Sequence, residues 1–131
     1  MVSSFKFVKD NGIVLEDQYA YRAVKGTCSQ PTGSFKVSGY TEIRDCNALA
    51  AAVVQWPVSV AVDASNWSRY SSGVFTNCGT GLNHGVTLVG VQGGNWWVKN
   101  SWASSWGETG FIRLATGNTC GICNMASYPN K

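Results

Sequence analysis

The residues of this sequence with the clearest chemical potential are its single histidine, His84, and a later asparagine, Asn100. His84 stands directly before an apolar run at residues 85–91, and Asn100 closes the next strand-like run at residues 95–100. A turn at Gly93-Gly94 would join the two runs as a hairpin, with Asn100 about three residues, or roughly 10 Å, from the position opposite His84. We therefore predict that both side chains lie at one end of a hairpin. Which face each side chain occupies stays open, because one bulge reverses it.

An imidazole beside a carboxamide suits catalysis with a thiol nucleophile. The asparagine oxygen would accept the hydrogen of the ring Nδ1 and fix the tautomer, so that Nε2 faces the nucleophile. A thiolate–imidazolium pair is already ionised, so the orienting group need not be the carboxylate that usually stands behind a serine. Trp102 and Trp106 could cover the pair from water and offer ring faces to the imidazolium. On these features alone, the alternative is a structural histidine at the start of a strand.

The elements that must position this pair begin with helices. Apolar residues recur at helical spacing over residues 2–9, which predicts a first helix. A short strand is predicted at residues 35–40. An alanine-rich helix is expected to follow Asp45, its candidate N-cap, and to end at Pro57.

Strands dominate the second half of the chain. Residues 58–63 alternate between valine and smaller or polar residues, and further strand candidates at residues 85–91, 95–100 and 110–115 are separated by glycine-rich turns. This pattern predicts an antiparallel meander or open barrel. The expected fold class is α+β, with short N-terminal helices followed by an antiparallel β-barrel-like sheet, and no linker divides the chain.

Composition limits the function classes. The chain has 131 residues, 44% of them hydrophobic, 13% charged and a net charge of +3. The ten Lys and Arg residues are scattered rather than clustered, which argues against nucleic-acid binding. No window approaches the roughly 18 apolar residues of a membrane span, and the start lacks the pattern of a secretory signal. Five cysteines nevertheless indicate an oxidising compartment.

Several blocks of the sequence carry a family resemblance. They are "NHG" at residues 83–85, "WWVKNSW" at residues 96–102 and "WGETGF" at residues 106–111. With these blocks the chain resembles the papain-like cysteine peptidases of the cathepsin L type. The segments "NGIVLEDQYAY", "PVSVAVDA" and "CGICNMASYP" extend the likeness along the chain. One departure is Ala103, where the family usually has glycine after "NSW".

The resemblance implies a cysteine-type endopeptidase in which His84 is the base, and later the acid, and Asn100 its orienting partner. No cofactor or metal is implied. The family's nucleophile sits in a "C-G-S-C-W" type motif, and no cysteine of this chain is followed by tryptophan. Cys46 opens the alanine-rich helix, but that helix resembles a different family element.

We therefore expect residues 1–131 to be the C-terminal portion of a peptidase domain, with Met1 an internal methionine. The helical half with the nucleophile would lie in an N-terminal segment or partner chain. The chain by itself is expected to be inactive. The alternative is a non-catalytic papain-like module, or a truncated relic, that binds peptides or partners.

The resemblance also implies a substrate pocket and a cellular location. The pocket would receive the hydrophobic side chain that lies two positions before the cleaved bond of a peptide or protein substrate. Asn83 would supply main-chain contacts, and Trp102 would line the leaving-group side of the cleft. Its walls would be Ala61, Leu82, Gly85 and Met125. The structural alternative is that these are simply core residues. A lysosomal, vacuolar or extracellular location is implied.

The resemblance further implies a disulfide between Cys78 and Cys120. Cys28 resembles a cysteine whose partner lies outside this chain, so it should be unpaired. A bridge between Cys46 and Cys123 stays open, because sequence does not establish connectivity. The alternative for the "C-G-I-C" stretch is a redox or zinc site, with His84 and Cys78 as further ligands.

Overall fold

The structure is a computed structural model that describes residues 1–27, 29 and 32–130. These residues divide into two units. The larger unit comprises Glu42–Tyr128 together with Met1, and the smaller comprises Val2–Thr41 and the chain from Pro129. Every residue predicted for the candidate site lies in the larger unit.

Two α-helices and seven strands are present in the described residues. The elements are α1 (Val2–Asn11), β1 (Gly39–Ile43), α2 (Cys46–Val53), β2 (Val58–Val62), β3 (Val74–Phe75), β4 (His84–Gln92), β5 (Asn95–Lys99), β6 (Phe111–Leu114) and β7 (Ala126–Asn130). Single 3₁₀ turns lie at Trp67–Arg69 and Thr119–Gly121. The predicted α+β class is confirmed. None of the described helices is long and apolar enough to cross a membrane.

The strands form one open sheet in the order β1-β7-β2-β4-β5-β6-β3. The pairs β2–β4, β4–β5, β5–β6 and β2–β7 are antiparallel, as the alternating pattern predicts. The sheet is mixed, however, because β3 pairs parallel with β6. Sequence did not indicate β3, since two residues are too few to show a period of two.

Burial in the larger unit follows the valine alternation of β2. Val58, Val60 and Val62 are fully buried, whereas Ser59 and Ala61 between them are only partly buried. Successive strand residues point to opposite faces, so one face of β2 enters the core and the other does not. Each buried valine removes enough apolar surface from water to stabilise the fold by about 1.5–3 kcal/mol.

Helix α2 begins where its cap predicts. The Asp45 carboxylate accepts the N–H of Ala48 at 2.7 Å, which satisfies one of the free donors of the first turn. Leu49 and Val53 face the core from α2. The helix ends at Val53, a little before Pro57, and the predicted N-cap is confirmed.

The turn between β4 and β5 is the predicted one. Gly93 and Gly94 have φ angles of 56° and 76°, in the left-handed region that glycine adopts without steric cost. Gln92 faces Asn95 across this turn. Two residues with positive φ are the geometry of a type I′ hairpin.

A bulge interrupts the hairpin between β4 and β5. Gly90 faces Trp97, but Leu88 faces Val98, so Val89 is an extra residue on β4. Each bulge of this kind shifts the register by one residue and reverses which face later residues occupy. The bulge therefore settles the question of face that the sequence pattern leaves open.

Beyond the bulge, Thr87 faces Lys99. Continuing this register sets Asn100 beside Val86, two residues from His84 rather than the expected three. Residues two apart along a strand share a face. The bulge thus brings His84 and Asn100 to the same side of the hairpin.

In the smaller unit, α1 covers the predicted helix and continues to Asn11. Gly12 follows with a φ of 75°, and a β-carbon there would lie 2.0 Å from the carbonyl oxygen of Gly33. The strand predicted at residues 35–40 is wrong in its bounds, because β1 begins at Gly39. Phe35 makes only an isolated bridge to Ile13.

Two disulfides join distant segments of the larger unit. Cys46 pairs with Cys123, and Cys78 pairs with Cys120. The two cysteines of "C-G-I-C" therefore belong to different bridges and hold neither a metal nor a redox dithiol. In the part of the chain that the structure describes, no three His, Cys, Asp or Glu side chains form a metal-binding group. Cys28 lies outside the described residues.

Candidate active site

The centre of the candidate site is a hydrogen bond between His84 and Asn100. His84 Nε2 lies 2.8 Å from Asn100 Oδ1. His84 is the first residue of β4, and Asn100 directly follows β5, where its N–H bonds to the carbonyl of Gly110 at 2.9 Å. Asn100 is 8% exposed, so its bond to His84 is largely shielded from competing water.

A second donor determines how this pair is protonated. The backbone N–H of Ser101 donates to Asn100 Oδ1 at 2.8 Å, so the oxygen, not the amide nitrogen, faces both neighbours. His84 Nε2 must therefore carry a hydrogen. In the neutral ring, Nδ1 then holds the free lone pair and can accept a proton.

The expectation that Asn100 would bind Nδ1 is wrong. Nε2 is the ring nitrogen farther from the backbone, and the two-residue offset along the hairpin requires that longer reach. Nδ1 has no hydrogen-bond partner among the described residues. The nitrogen available to a nucleophile is Nδ1.

Two tryptophans contact the His84 ring, and a third packs against both of them. Trp102 stacks on it at a centroid distance of 5.2 Å with planes 29° apart, and Trp67 meets it edge-on at 6.2 Å and 90°. Trp106 contacts both of the other indoles and donates Nε1–H to the carbonyl of Trp67 at 3.2 Å. The stacked indole of Trp102 therefore covers one face of the imidazole.

Sequence reasoning found Trp102 and Trp106 but missed Trp67. Trp67 is fully buried in the 3₁₀ turn that follows β2. Its position in a loop 17 residues before His84 gave no periodic signal. Its residue type alone, a tryptophan in an otherwise polar loop, could have drawn attention to it.

The loop that carries Trp102 has an unusual backbone. Ala103 has a φ of 71°, in the left-handed region that disfavours a β-carbon. Its carbonyl accepts the N–H of Trp106 at 3.3 Å, and the Trp106 carbonyl accepts the N–H of Gly110 at 2.7 Å. The departure from glycine at residue 103 therefore places strain next to the ring that covers His84.

An ion pair fastens the end of this loop. Arg113 Nε donates to Glu108 Oε2 at 2.7 Å, and Arg113 Nη2 donates to Glu108 Oε1. The N–H of Gly73 also donates to Glu108 Oε1, at 2.9 Å. The Arg113 hydrogen bonds hold the pKa of Glu108 below its ordinary value. Neither partner bonds to His84, whose orienting group in the described residues is the neutral amide of Asn100.

The structure brings three of the predicted pocket residues together. Ala61 on β2 faces Gly85 on β4, and the N–H of Ala61 donates to the carbonyl of Met125 at 2.9 Å. Ala61 alternates with the buried valines and so lies on the face of the sheet away from the core. A β-carbon on Gly85 would meet no atom within 4 Å, so this position is open.

The remaining predicted residues flank this group. Leu82 is partly buried beside Gly121. A β-carbon added at Gly121 would lie 2.8 Å from Leu82 Cδ2. Met125 is 48% exposed, and neither it nor Leu82 belongs to the buried core. The N–H of Asn83 is committed to the carbonyl of Val62 at 3.0 Å, so only the Asn83 carbonyl can offer a main-chain contact.

Comparisons with known proteins identify the family of this chain. The family model described as "Papain family cysteine protease" matches residues 1–130. Cathepsin L 2 of Paramecium tetraurelia is 52% identical over 132 residues, which cover 98% of this chain and 42% of that protein. Vignain of Vigna mungo is 45% identical over 150 residues, which cover 100% of this chain and 41% of that protein.

Solved structures are similar as well. The bromelain protease of Ananas comosus, in complex with the E64 inhibitor, superposes with a TM-score of 0.85 at 37% identity, covering 98% of this chain and 68% of that one. Digestive procathepsin L 3 from the larval midgut of Tenebrio molitor superposes with a TM-score of 0.88 at 40% identity, covering 100% of this chain and 48% of that one.

The chain belongs to the papain family of cysteine proteases. It corresponds to the C-terminal part of the family's domain, and its relatives include proteins named cathepsin L. It spans about two fifths of the length of the curated relatives it matches.

Proposed function

We propose that this chain carries the histidine and asparagine of a cysteine endopeptidase site and that its nucleophilic thiol comes from a segment outside these 131 residues. The observation that supports this most directly is the bond from His84 Nε2 to Asn100 Oδ1, which leaves Nδ1 without a partner. An oriented imidazole with one free nitrogen is what a thiol nucleophile requires.

The first chemical step would be ionisation of that thiol. His84 Nδ1 takes the thiol proton, and the thiolate attacks the carbonyl carbon of the scissile peptide bond. The resulting imidazolium then gives the Nδ1 proton to the leaving amine, which departs from the tetrahedral intermediate. In the second half, His84 removes a proton from water, the hydroxide attacks the thioester, and the thiol leaves with the proton.

The role of Asn100 in these steps is to hold the ring in one orientation. Both states of the ring keep a hydrogen on Nε2, so the bond to Asn100 Oδ1 persists while Nδ1 gains and loses its proton. A neutral amide suffices here because the thiolate supplies the negative charge beside the imidazolium. The stacked ring of Trp102 would line the leaving-group side.

The substrates would be peptides or proteins with a hydrophobic side chain two positions before the cleaved bond. Ala61, Gly85 and Met125 form a small neutral surface, with Leu82 beside it. No carboxylate is among these residues, so an arginine side chain would lose water without gaining an ion pair. The Asn83 carbonyl would accept a substrate N–H.

The chain by itself should not hydrolyse peptide bonds. The four cysteines that the structure describes are all in disulfides, which are not nucleophiles. The same disulfides support a lysosomal, vacuolar or extracellular location, where such bridges persist.

A second candidate function is a non-catalytic papain-like module that binds peptides or partners. It is favoured by the absence of a Cys-Trp motif from these 131 residues. It would share the fold and the pocket and differ only in lacking a thiol near His84 Nδ1.

Two samples distinguish these functions. The purified chain is assayed on a fluorogenic peptide with phenylalanine two positions before the reporter, and we expect no turnover sensitive to E-64. Protein purified from its natural source is then labelled with E-64 and its mass is measured with and without reduction. Label on a cysteine outside these 131 residues supports the peptidase, and an unlabelled, inactive natural protein supports the module. E-64-sensitive turnover by the purified chain would contradict the proposal.

A further inference from the structure

Asp63 is a nearly buried carboxylate that the proposed chemistry does not use. It directly follows β2 and is 8% exposed. Its oxygens accept the N–H of Ser65 at 3.1 Å, the hydroxyl of Ser65 at 2.6 Å, the N–H of Gly79 at 2.8 Å and the side-chain amide of Asn83 at 3.3 Å. In the described part of the chain it takes part in no salt bridge. Among the described residues, its negative charge is stabilised by hydrogen-bond donors.

These donors lie on the segment that leads into His84. Gly79 begins the segment, directly after Cys78, and Asn83 ends it, directly before His84. The disulfide from Cys78 to Cys120 holds the same end of the segment that Gly79 occupies. Asp63 thus contacts both ends of the segment at residues 79–83.

Asn83 is held by its side chain as well as its backbone. Its Oδ1 accepts the N–H of Ala64 at 2.9 Å, and its Nδ2 donates to the hydroxyl of Ser65 at 2.9 Å as well as to Asp63. Asp63, Ser65 and Asn83 therefore bond to one another in a closed set. Each member satisfies the others, so the loss of one weakens the rest.

The segment at residues 79–83 meets His84 at the point where the pairing between β2 and β4 ends. The pair Val62–His84 is the last one between β2 and β4. Residues 79–83 form no helix or strand, and they include Gly79 and Gly81. Glycine-containing segments lose much conformational freedom on ordering, so they need specific bonds to hold them.

The charge state of Asp63 fits an acceptor of this kind. The hydrogen bonds from Ser65, followed by those from Gly79 and Asn83, hold the pKa of Asp63 below its ordinary value despite its burial. The donors thus favour the ionised carboxylate. An asparagine at this position would replace one of the two carboxylate oxygens with an NH₂ group. That group cannot accept a hydrogen bond from the donors that face it.

We propose that Asp63 is a positioning residue for His84: it ties the segment at residues 79–83 to the end of β2 and thereby keeps the imidazole in register with Asn100. The catalytic meaning of this role rests on the function proposed above for His84. The effect on the geometry of His84 can be measured without catalysis.

The test is Asp63→Asn in the 131-residue chain, with the ¹⁵N and ¹H signals of the His84 ring and backbone amide exchange as readouts. In the unsubstituted protein with a neutral ring, we expect one tautomer, with a slowly exchanging hydrogen on Nε2. In the variant, the other tautomer should become visible. The Nε2 hydrogen and the N–H groups of Gly79 and Ala64 should exchange about tenfold faster or more, as for loss of a bond to a charged acceptor.

The matched control is Asp45→Asn. Asp45 also accepts a backbone N–H, but asparagine serves equally well at a helix N-cap, so the His84 ring signals should not change. If Asp63→Asn does not fold, Asn83→Ala removes the link between Asp63 and His84 at an exposed residue and should change the same signals.

Unchanged His84 signals in a folded Asp63→Asn or in Asn83→Ala would overturn the proposal. Failure of the proposed function would look different. A natural protein without E-64 labelling, whose His84 ring still responds to Asp63→Asn, would remove the catalytic role and leave the positioning intact.

Discussion

Replacing Ala103 with glycine should stabilise the protein, although the change removes a methyl group. Ala103 has a φ of 71°, and an L-residue in the left-handed region costs about 1–2 kcal/mol, which glycine does not incur. Glycine has more freedom in the unfolded chain, which offsets about 0.4–1 kcal/mol of this gain. Ala103 is exposed, so little buried apolar surface is lost.

The net expectation is a gain in unfolding free energy of roughly 1 kcal/mol. The unfolding free energy of a chain of this size falls by about 2 kcal/mol per molar urea (the m value), so the unfolding midpoint should rise by about 0.5 M. The assay is equilibrium unfolding in urea, with non-reducing conditions that preserve both disulfides.

The matched control is Ala51→Gly, the same chemical change at an exposed position inside α2. There the backbone is helical, so glycine should destabilise by about 0.5–1 kcal/mol. A midpoint for Ala103→Gly that is unchanged or lower, while Ala51→Gly falls as expected, would refute the inference of strain beside Trp102.

Two further predictions concern the Glu108 ion pair and the open position at Gly85. The pKa of Glu108 is lowered in the folded state, so its contribution to stability is present above the ordinary carboxyl pKa and is lost as pH falls through the folded value. Between pH 7 and pH 3, the unfolding free energy measured in urea should therefore fall less for Glu108→Gln than for the unsubstituted protein. Gly85→Val should place a branched side chain in the open space of the proposed pocket and, in the proposed complete peptidase, lower kcat/KM for a phenylalanine substrate by about tenfold or more, with little change in thermal unfolding.

Each of these predictions has its own contradicting outcome. Equal acid destabilisation of the Glu108→Gln and unsubstituted proteins would show that the pair with Arg113 does not differ between folded and unfolded states. For Gly85→Val, the control is a substrate with alanine two positions before the cleaved bond. An equal loss on both substrates would mean that the substitution disturbs His84 rather than the pocket.

Much of the architecture follows from local patterns in the sequence. The alternation of valines in β2 predicts which face is buried, because successive strand residues point to opposite sides. Asp45 predicts the start of α2, and Gly93-Gly94 predicts the hairpin turn, because both depend on backbone geometry within a few residues. The strand β3 could not be predicted, since its two residues pair with β6 only through the tertiary fold.

For the candidate site, too, local sequence patterns predicted some features and the tertiary structure decided the others. Residue types and hairpin spacing by themselves placed His84 and Asn100 at one end of a hairpin and identified an imidazole–amide pair suited to a thiol. Tertiary structure alone decided that the bulge at Val89 puts them on one face, that Nε2 rather than Nδ1 meets Asn100, and that Trp67 closes on the ring. A bulge, a ring orientation and a contact across 17 residues all depend on packing between segments, and no local periodicity records that packing.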